Sequence, residues 1–511
     1  MSTTGHSNKK MLTVIGIMTA GVLMAGCGSQ DSSGGGSITL SGSNIAFEGE
    51  GATVKGSEIT ISKGGTYNIT GNLSDGQINV NSKKDVTLVL DGVNITNEDE
   101  EAIHIKNGDV TIEMKNENSI TNGSEESYNT AISSNVSNDT SDSDDTSDSE
   151  DKVHAAIYAA DDLTITGSGT LNVNGYINNG IHAKGKLSVG VDTLNVKASN
   201  HGIKSKENVV IESGAIDVVC ANDGVHSNDE ISINDGEIVI NANDDGIHAD
   251  NKLVVNNGTI DIQKCNEGLE AIDITVNDGD INIVSEDDGI NACGGTSNFG
   301  KGGGRAGGGF DRDKAGKMTP GNMPQNKGER PTMAEGETPP ADMAEGDATP
   351  LFTMNGGKIH IKSGGDGIDS NGDMYINGGE VTVESHASGA DSAFDYASEN
   401  GNKAVINGST IIGLGSSSMA EEFDSDSSKQ CAFTYVMGSQ ISAGTEIKIT
   451  DSAGNEIASF TTQNGCNCIQ FSSDKLKEGD TYTITAGSAS GTIEQSAVAV
   501  TNNTGTKRFR W

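Results

Sequence analysis

Over long stretches the chain alternates apolar and polar residues one for one, as in Ile59-Thr-Ile61, Gln77-Ile-Asn-Val80, Lys252-Leu-Val-Val255 and Thr259-Ile-Asp-Ile262. A period of two is the signature of a β-strand with one face buried. Between the runs fall Asn-Gly or Asp-Gly pairs, such as Asp235-Gly236, Asn257-Gly258 and Asp278-Gly279, which mark tight turns. Helical 3.6-residue periodicity is missing from these stretches. The pattern predicts short strands joined by turns.

A second, longer rhythm lies over the first. The phrase Asn178-Asn-Gly-Ile-His-Ala183 returns as Asn200-His-Gly-Ile-Lys-Ser205, Asn222-Asp-Gly-Val-His-Ser227 and Asp244-Asp-Gly-Ile-His-Ala249, and then as Asn266-Glu-Gly-Leu-Glu-Ala271, Asp287-Asp-Gly-Ile-Asn-Ala292 and Gly365-Asp-Gly-Ile-Asp-Ser370. Its glycines at Gly180, Gly202, Gly224, Gly246, Gly268 and Gly289 are 22, 22, 22, 22 and 21 residues apart, and Gly367 and Gly389 resume the step of 22. One such unit cannot bury an alternating face alone, whereas stacked units share a continuous apolar column. The fold class predicted is all-β: a right-handed parallel β-helix of 22-residue coils, three strands per coil, with a small C-terminal β domain. Each phrase glycine reads as a turn residue that takes positive φ. The residues before it and two after it then point outward in vertical columns.

The rhythm also divides the chain. Lys9 and Lys10, the apolar run Met11 to Ala25, and Gly26-Cys27 make an export signal, and Leu23-Met-Ala-Gly-Cys27 resembles a lipobox, which implies cleavage before Cys27 and its lipidation. Residues 1–27 are therefore read as signal, and the Gly/Ser-rich 28–37 as a flexible tether. Residues 38–121 supply an N-terminal cap and first coils, and 122–152 a Ser/Asp-rich acidic loop. Central coils occupy 153–295. Residues 296–350 form a Gly/Met/Pro-rich insertion holding all six prolines, 351–396 the last coils, and 397–511 the C-terminal cap, with a hairpin expected around Asp451-Ser-Ala-Gly454. An exported protein can oxidise its thiols, so a bond from Cys431 to Cys466 or Cys468 is open.

Composition narrows the partners. The formal net charge of −40 argues against nucleic acid and against direct attraction to an anionic membrane, both of which need a basic face. Any membrane contact runs through the lipid anchor, and a monomer on the extracellular face of the cell envelope is expected.

Three further phrases carry a resemblance. Ile61-Ser-Lys-Gly-Gly-Thr-Tyr-Asn-Ile-Thr-Gly71, Val86-Thr-Leu-Val-Leu-Asp-Gly-Val-Asn-Ile-Thr96 and Ala155-Ala-Ile-Tyr-Ala-Ala-Asp-Asp-Leu-Thr-Ile-Thr-Gly-Ser-Gly-Thr-Leu171, with the recurrent Asp-Asp-Gly-Ile-His coils, resemble the clostridial cell-surface carbohydrate-binding β-helix proteins. These are related in fold to pectate lyases. The resemblance implies calcium-loaded, non-catalytic binding of plant cell-wall polysaccharide, with cellulose and polygalacturonate as the substrate classes.

The columns supply the candidate chemistry. Before each glycine stand Asn179, His201, Asp223, Asp245, Glu267, Asp288 and Asp366, with Asp244 and Asp287 one position earlier. Carboxylates stacked about 4.8 Å apart repel by roughly 1 kcal/mol in water and several times that in a protein. Ca²⁺ removes the repulsion and accepts such oxygens. The candidate ligands are Asp223, Asp244, Asp245, Glu267, Asp287, Asp288, Asp366, Asp369 and Asp391. Two residues after the glycine, His182, Lys204, His226, His248 and Glu270 are candidates for contacts to sugar hydroxyls. His226 and His248 could chelate zinc, but no third ligand is obvious from the sequence. A lyase would need a Lys or Arg base beside calcium, and Lys204 and Lys206 are the cations near the phrase on the central coils. Binding without catalysis is the preferred reading. A calcium-dependent pectate lyase and a surface adhesin or spacer with no sugar ligand are the alternatives.

Overall fold

The structure, a computed structural model, describes residues 33–133, 153–293, 349–386 and 391–502. Cys27 and its lipobox, the Ser/Asp tract 134–152, nearly all of the 296–350 insertion and Gly389 lie outside the described residues.

Alternation becomes strand as the sequence predicts. In Lys252–Val255 the side chains of Leu253 and Val255 are buried and their neighbours half-buried, and Ile260 and Ile262 repeat this in Thr259–Cys265. The fold is all-β with large parallel sheets of 24 and 13 strands and an antiparallel sheet of four. The shorter parallel sheet carries the recurring phrase. Along it Ile203 pairs with Val225, Val225 with Ile247, Ile247 with Leu269, Leu269 with Ile290 and Ile290 with Ile368. These residues, together with columns such as Ile238–Ile260–Ile281–Ile359 on the larger sheet, belong to one elongated apolar core. Burying each Ile or Leu contributes roughly 1.5–3 kcal/mol. The contacts that supply it come from the coils on either side.

The number of strands per coil varies. From Val225–Ser227, Glu230–Ile233 and Glu237–Asn241 onward, successive coils show three short strands. Earlier, Leu163–Gly175, Leu187–Ala198 and Val209–Cys220 each run unbroken through two arms, with register shifts between Gly167 and Thr170 and between Gly190 and Thr193. A bulge bends the chain there, in place of the Asp-Gly or Asn-Gly turn used later.

The phrase glycines have another purpose than the one read from sequence. Positive φ belongs to the turn glycines, for example Gly236 at 129° and Gly258 at 111°. Gly180, Gly202, Gly224, Gly246, Gly268, Gly289 and Gly367 do not share it. A Cβ at Gly246 would stand 2.7 Å from the Gly268 carbonyl oxygen and 2.7 Å from Ile262 Cδ1. Stacking at the coil repeat forbids a side chain there, so the requirement is close approach.

The ends also correct the reading. Gly34–Gly42, whose first residues were assigned to a tether, is a strand pairing antiparallel with Asn44–Glu50 and parallel with Gly65–Leu73. A Cβ at Gly36 would collide with the Glu48 carbonyl oxygen, so glycine serves tight pairing here as well. Within the acidic insertion, Glu125–Ser133 is an α-helix. At the other end Thr410–Gly415 pairs antiparallel with Cys466–Ser472, and the pair Glu446–Thr450 with Glu456–Thr461 brackets Asp451 to Gly454. A separate apolar cluster around Phe433, Ile447, Ile449, Phe471 and Tyr482 underlies these strands. Buried Glu384 ties the two parts together: its Oε2 accepts hydrogen bonds from Thr462 Oγ1 (3.2 Å), Gln463 N (2.6 Å) and Asn464 N (3.1 Å). Cys220, Cys265, Cys293, Cys431, Cys466 and Cys468 are all free thiols.

Candidate metal and glycan site

Where the residue before the phrase glycine is Asn or Asp, it has a structural task that the sequence did not disclose. Its side-chain Oδ1 accepts the backbone N–H of the equivalent residue one coil further on: Asn179 from His201 (3.1 Å), Asp223 from Asp245 (3.1 Å), Asp245 from Glu267 (3.2 Å) and Asp288 from Asp366 (2.7 Å). Each carboxylate thereby keeps its second oxygen for other work. Asn178, Asn200 and Asn222, one position earlier, form an amide ladder, with Nδ2 donating to the preceding Oδ1 at 2.9 and 3.1 Å.

The second column lies in register beside the first. His182, Lys204, His226, His248 and Glu270 occupy successive rungs, followed by Asn291, Asp369 and Asp395. The two columns lean together. Asp223 Oδ2 lies 2.8 Å from His226 Nδ1 and 3.2 Å from His201 Nδ1. His248 Nδ1 lies 3.2 Å from Asp245 Oδ2 and 3.1 Å from Glu270 Oε2, and its Nε2 is 3.5 Å from Asp250 Oδ1. Asn291 Nδ2 donates to Glu267 Oε2 at 2.8 Å.

This convergence corrects the open, solvated columns expected from sequence. His182 and His226 are 2% exposed, Asp223 4%, and Asp245 and Lys204 6%. Side chains at one-coil spacing cover one another, and the two columns roof each other across a three-residue strand. His182 makes no hydrogen bond through either ring nitrogen and sits edge-on to the Tyr158 and His154 rings. A glycan cannot reach His182, Lys204 or His226 in this packing. His248 and Glu270 remain half-buried and within reach.

Three overlapping groups of donors follow: His201–Asp223–His226, Asp223–Asp245–His248 and Asp245–Glu267–Glu270, the atoms within each lying within 4.8 Å of one another. Of the predicted ligands, Asp223, Asp245 and Glu267 are thus brought together. Asp288, Asp366 and Asp369 continue the file, each interacting electrostatically with the next. Asp244 and Asp287 stand aside from it, half-buried and exposed respectively, with Asp391 facing Asp287. His201 is the donor the sequence reading passed over: it joins Asp223 and His226, while His248 falls in a different group, so the zinc pair His226 and His248 expected from sequence is not brought into one cluster. The signal was present in the histidine that replaces Asn or Asp in Asn200-His-Gly202.

Electrostatics change along the file. Burial pushes His201 down to about 4, so its ring is neutral at pH 7. Burial also opposes the Asp223 carboxylate, but the fields of His201 and His226 and the hydrogen bond with His226 hold it well below the usual range. His248, despite its burial, is raised well above 6.5 by Asp245, Asp250 and Glu270 and carries a charge. Beyond it, burial and then mutual repulsion push Glu267, Asp288 and Asp366 up to about 8 and Asp369 up to about 9.

Residues 55–306 match the family described as carbohydrate-binding domain-containing protein. A protein of that description from Acetivibrio thermocellus is 33% identical over 210 residues, an alignment spanning 66% of that relative and 38% of this chain. The resemblance to carbohydrate-binding proteins holds. A polysaccharide lyase-like protein from C. thermocellum, solved as a gadolinium derivative, is 29% identical over 48% of this chain and 93% of its own, with a TM-score of 0.38.

Calcium, which the carbohydrate-binding resemblance implies, fits the acidic half of the file. Asp245, Glu267, Glu270, Asp288, Asp366 and Asp369 offer only oxygen donors, the set a hard cation takes. Gly365 stands where earlier repeats of the phrase carry Asn or Asp, and a Cβ there would fall 2.5 Å from Asp287 Oδ1 and 2.5 Å from Asp288 Oδ1. The missing side chain leaves room beside two carboxylates. A bound dication would neutralise groups that burial otherwise keeps protonated.

Proposed function

We propose that the protein binds plant cell-wall polysaccharide without cleaving it, through calcium held on the acidic half of the file, and that it does so as a lipid-anchored monomer on the extracellular face of the cell envelope. The preferred glycan is acidic, of the polygalacturonate type. The observation that carries this reading is the run Glu267–Asp288–Asp366–Asp369, whose carboxyls are raised by burial and one another's charge. Calcium bound there keeps part of its oxygen shell for a uronate carboxylate, which supplies the link between an acidic protein and an acidic polymer. The family description of residues 55–306 supports a carbohydrate partner. The burial of Lys204 supports binding over lyase chemistry, because a proton-abstracting base must touch substrate.

Affinity electrophoresis of the chain from Gly28 onward, through gels containing polygalacturonate, tests the proposal. Retardation is expected with calcium and not with EDTA, and Asp288→Asn should weaken it. Equal mobility in both gels would sink calcium bridging. Unsaturated uronate products absorbing near the ultraviolet edge would instead reveal a lyase.

A further inference from the structure

The file changes donor chemistry at one end. Its acidic stretch is all oxygen, but the first of its three donor groups is two imidazoles and one carboxylate. We propose that His201, Asp223 and His226 form a site for a borderline dication, zinc, separate from the calcium stretch and closing two successive coils onto each other. The inference goes beyond the glycan-binding reading and does not depend on it.

Geometry favours this metal. A tetrahedral zinc with bonds of about 2.0–2.1 Å sets its ligand atoms roughly 3.3 Å apart. Asp223 Oδ2 lies 2.8 Å from His226 Nδ1 and 3.2 Å from His201 Nδ1. Calcium asks for six to eight oxygens at longer distance, and imidazole is a poor partner for it. All three side chains are at least nine-tenths buried.

A second observation points the same way. His201 Nδ1, though 3.2 Å from Asp223 Oδ2, makes no hydrogen bond to it or to any other group. A buried ring nitrogen is thus aimed into the cluster without the angle that a hydrogen bond needs. Asp223 is already oriented, because its Oδ1 accepts the Asp245 N–H at 3.1 Å and leaves Oδ2 to face both rings. Such support of a ligand by the neighbouring backbone is what metal sites use to fix their first shell.

The neighbouring groups differ in kind. His248 turns both ring nitrogens to carboxylates, Nδ1 to Asp245 and Glu270 and Nε2 to Asp250. Loading the proposed site moves the ring proton of His201 and of His226 from Nδ1 to Nε2. Three protein donors leave the fourth tetrahedral position to a small ligand such as water. His201 comes from one coil and Asp223 and His226 from the next, so the ion staples the stack.

The test uses the full chain, purified without a polyhistidine tag, stripped of metal and titrated with Co²⁺ and Zn²⁺ in the presence of excess Ca²⁺. The expected result is one equivalent per chain with the intense visible absorption of tetrahedral cobalt, displaced by zinc and indifferent to calcium. His201→Gln and His226→Gln should each weaken binding by about 100-fold or more, while Asp288→Asn leaves it unchanged. Absence of the cobalt band would overturn the proposal, as would zinc binding that survives both histidine variants or disappears in Asp288→Asn. Should a histidine variant lose its β-sheet circular dichroism, the unaltered chain decides. A Tm raised by stoichiometric zinc but not by the same concentration of calcium supports the staple, and an unmoved Tm refutes it.

Discussion

A single position, the residue before each phrase glycine, joins the two properties of this molecule. At Asp223 and Asp245 one oxygen closes a backbone N–H on the next coil, and the other faces a neighbouring imidazole. Asn satisfies the first demand alone, which is why Asn179 can stand in the column without contributing charge. The glycine that follows is just as constrained. Gly246→Ala drives a methyl into the Gly268 carbonyl and Ile262, and backbone stacked on backbone cannot retreat. The expected cost is about 2–3 kcal/mol, read as a lowered denaturant midpoint. Gly190→Ala, whose Cβ would meet nothing closer than Glu212 Cβ at 3.4 Å, should leave the midpoint almost unchanged. Equal effects of the two substitutions would contradict the close-approach explanation. The repeat marked Gly246 as special, but it could not distinguish a φ requirement from a spacing requirement, since both select glycine.

Among elements, the turns between the arms show how a polar exterior contributes order. Asn256, Asn277, Asn355, Asn377 and Asn407 form an exposed ladder in which each Nδ2 donates to the Oδ1 of the preceding rung at 2.7–3.0 Å, starting from Asn234. Asn277→Ala removes two such bonds and should destabilise by about 1–2 kcal/mol, with faster amide exchange in the flanking coils as the local readout. No change in exchange at Asn256 and Asn355 would mean that the ladder is incidental. Strand positions were legible because alternation states which face is buried. Glu125–Ser133 was not, because its surroundings are acidic and Ser-rich and its apolar periodicity is weak. The pairing of Gly34–Gly42 was hidden for a related reason: a glycine run reads as slack, while here it lies in a tight parallel and antiparallel pairing.

At the level of the whole molecule, the acidic half of the file couples stability to pH and, on the proposed reading, to calcium. Glu267, Asp288 and Asp366, raised to about 8, and Asp369, raised to about 9, bind protons in the folded chain that they have lost in the unfolded one near neutrality. Their contribution is fully present below their ordinary unfolded values, near 4, and is lost as pH rises to 8–9. In EDTA the Tm should therefore fall across that interval, and saturating calcium should flatten the fall while its own affinity increases with pH. A Tm in EDTA that rises between pH 5 and 9 would show that other groups dominate. The overall β-helix-like stack, and the succession of Asp245, Glu267, Asp288, Asp366 and Asp369 along it, followed from the repeat. The meeting of His201, Asp223, His226 and His248 did not, because sequence spacing gives the rungs of each column but not the tilt of one column toward the other.

Ile290 pairs with Ile368 as squarely as Leu269 pairs with Ile290, although 78 residues separate the first pair and 21 the second. The stack therefore counts rungs and ignores contour length between Cys293 and Leu351. That makes this junction a natural splice port. Any independently folding passenger inserted there would be carried one rung from Asp288 and Asp366, so a lineage or an engineer could fit new specificity beside the acidic file without re-cutting a single coil.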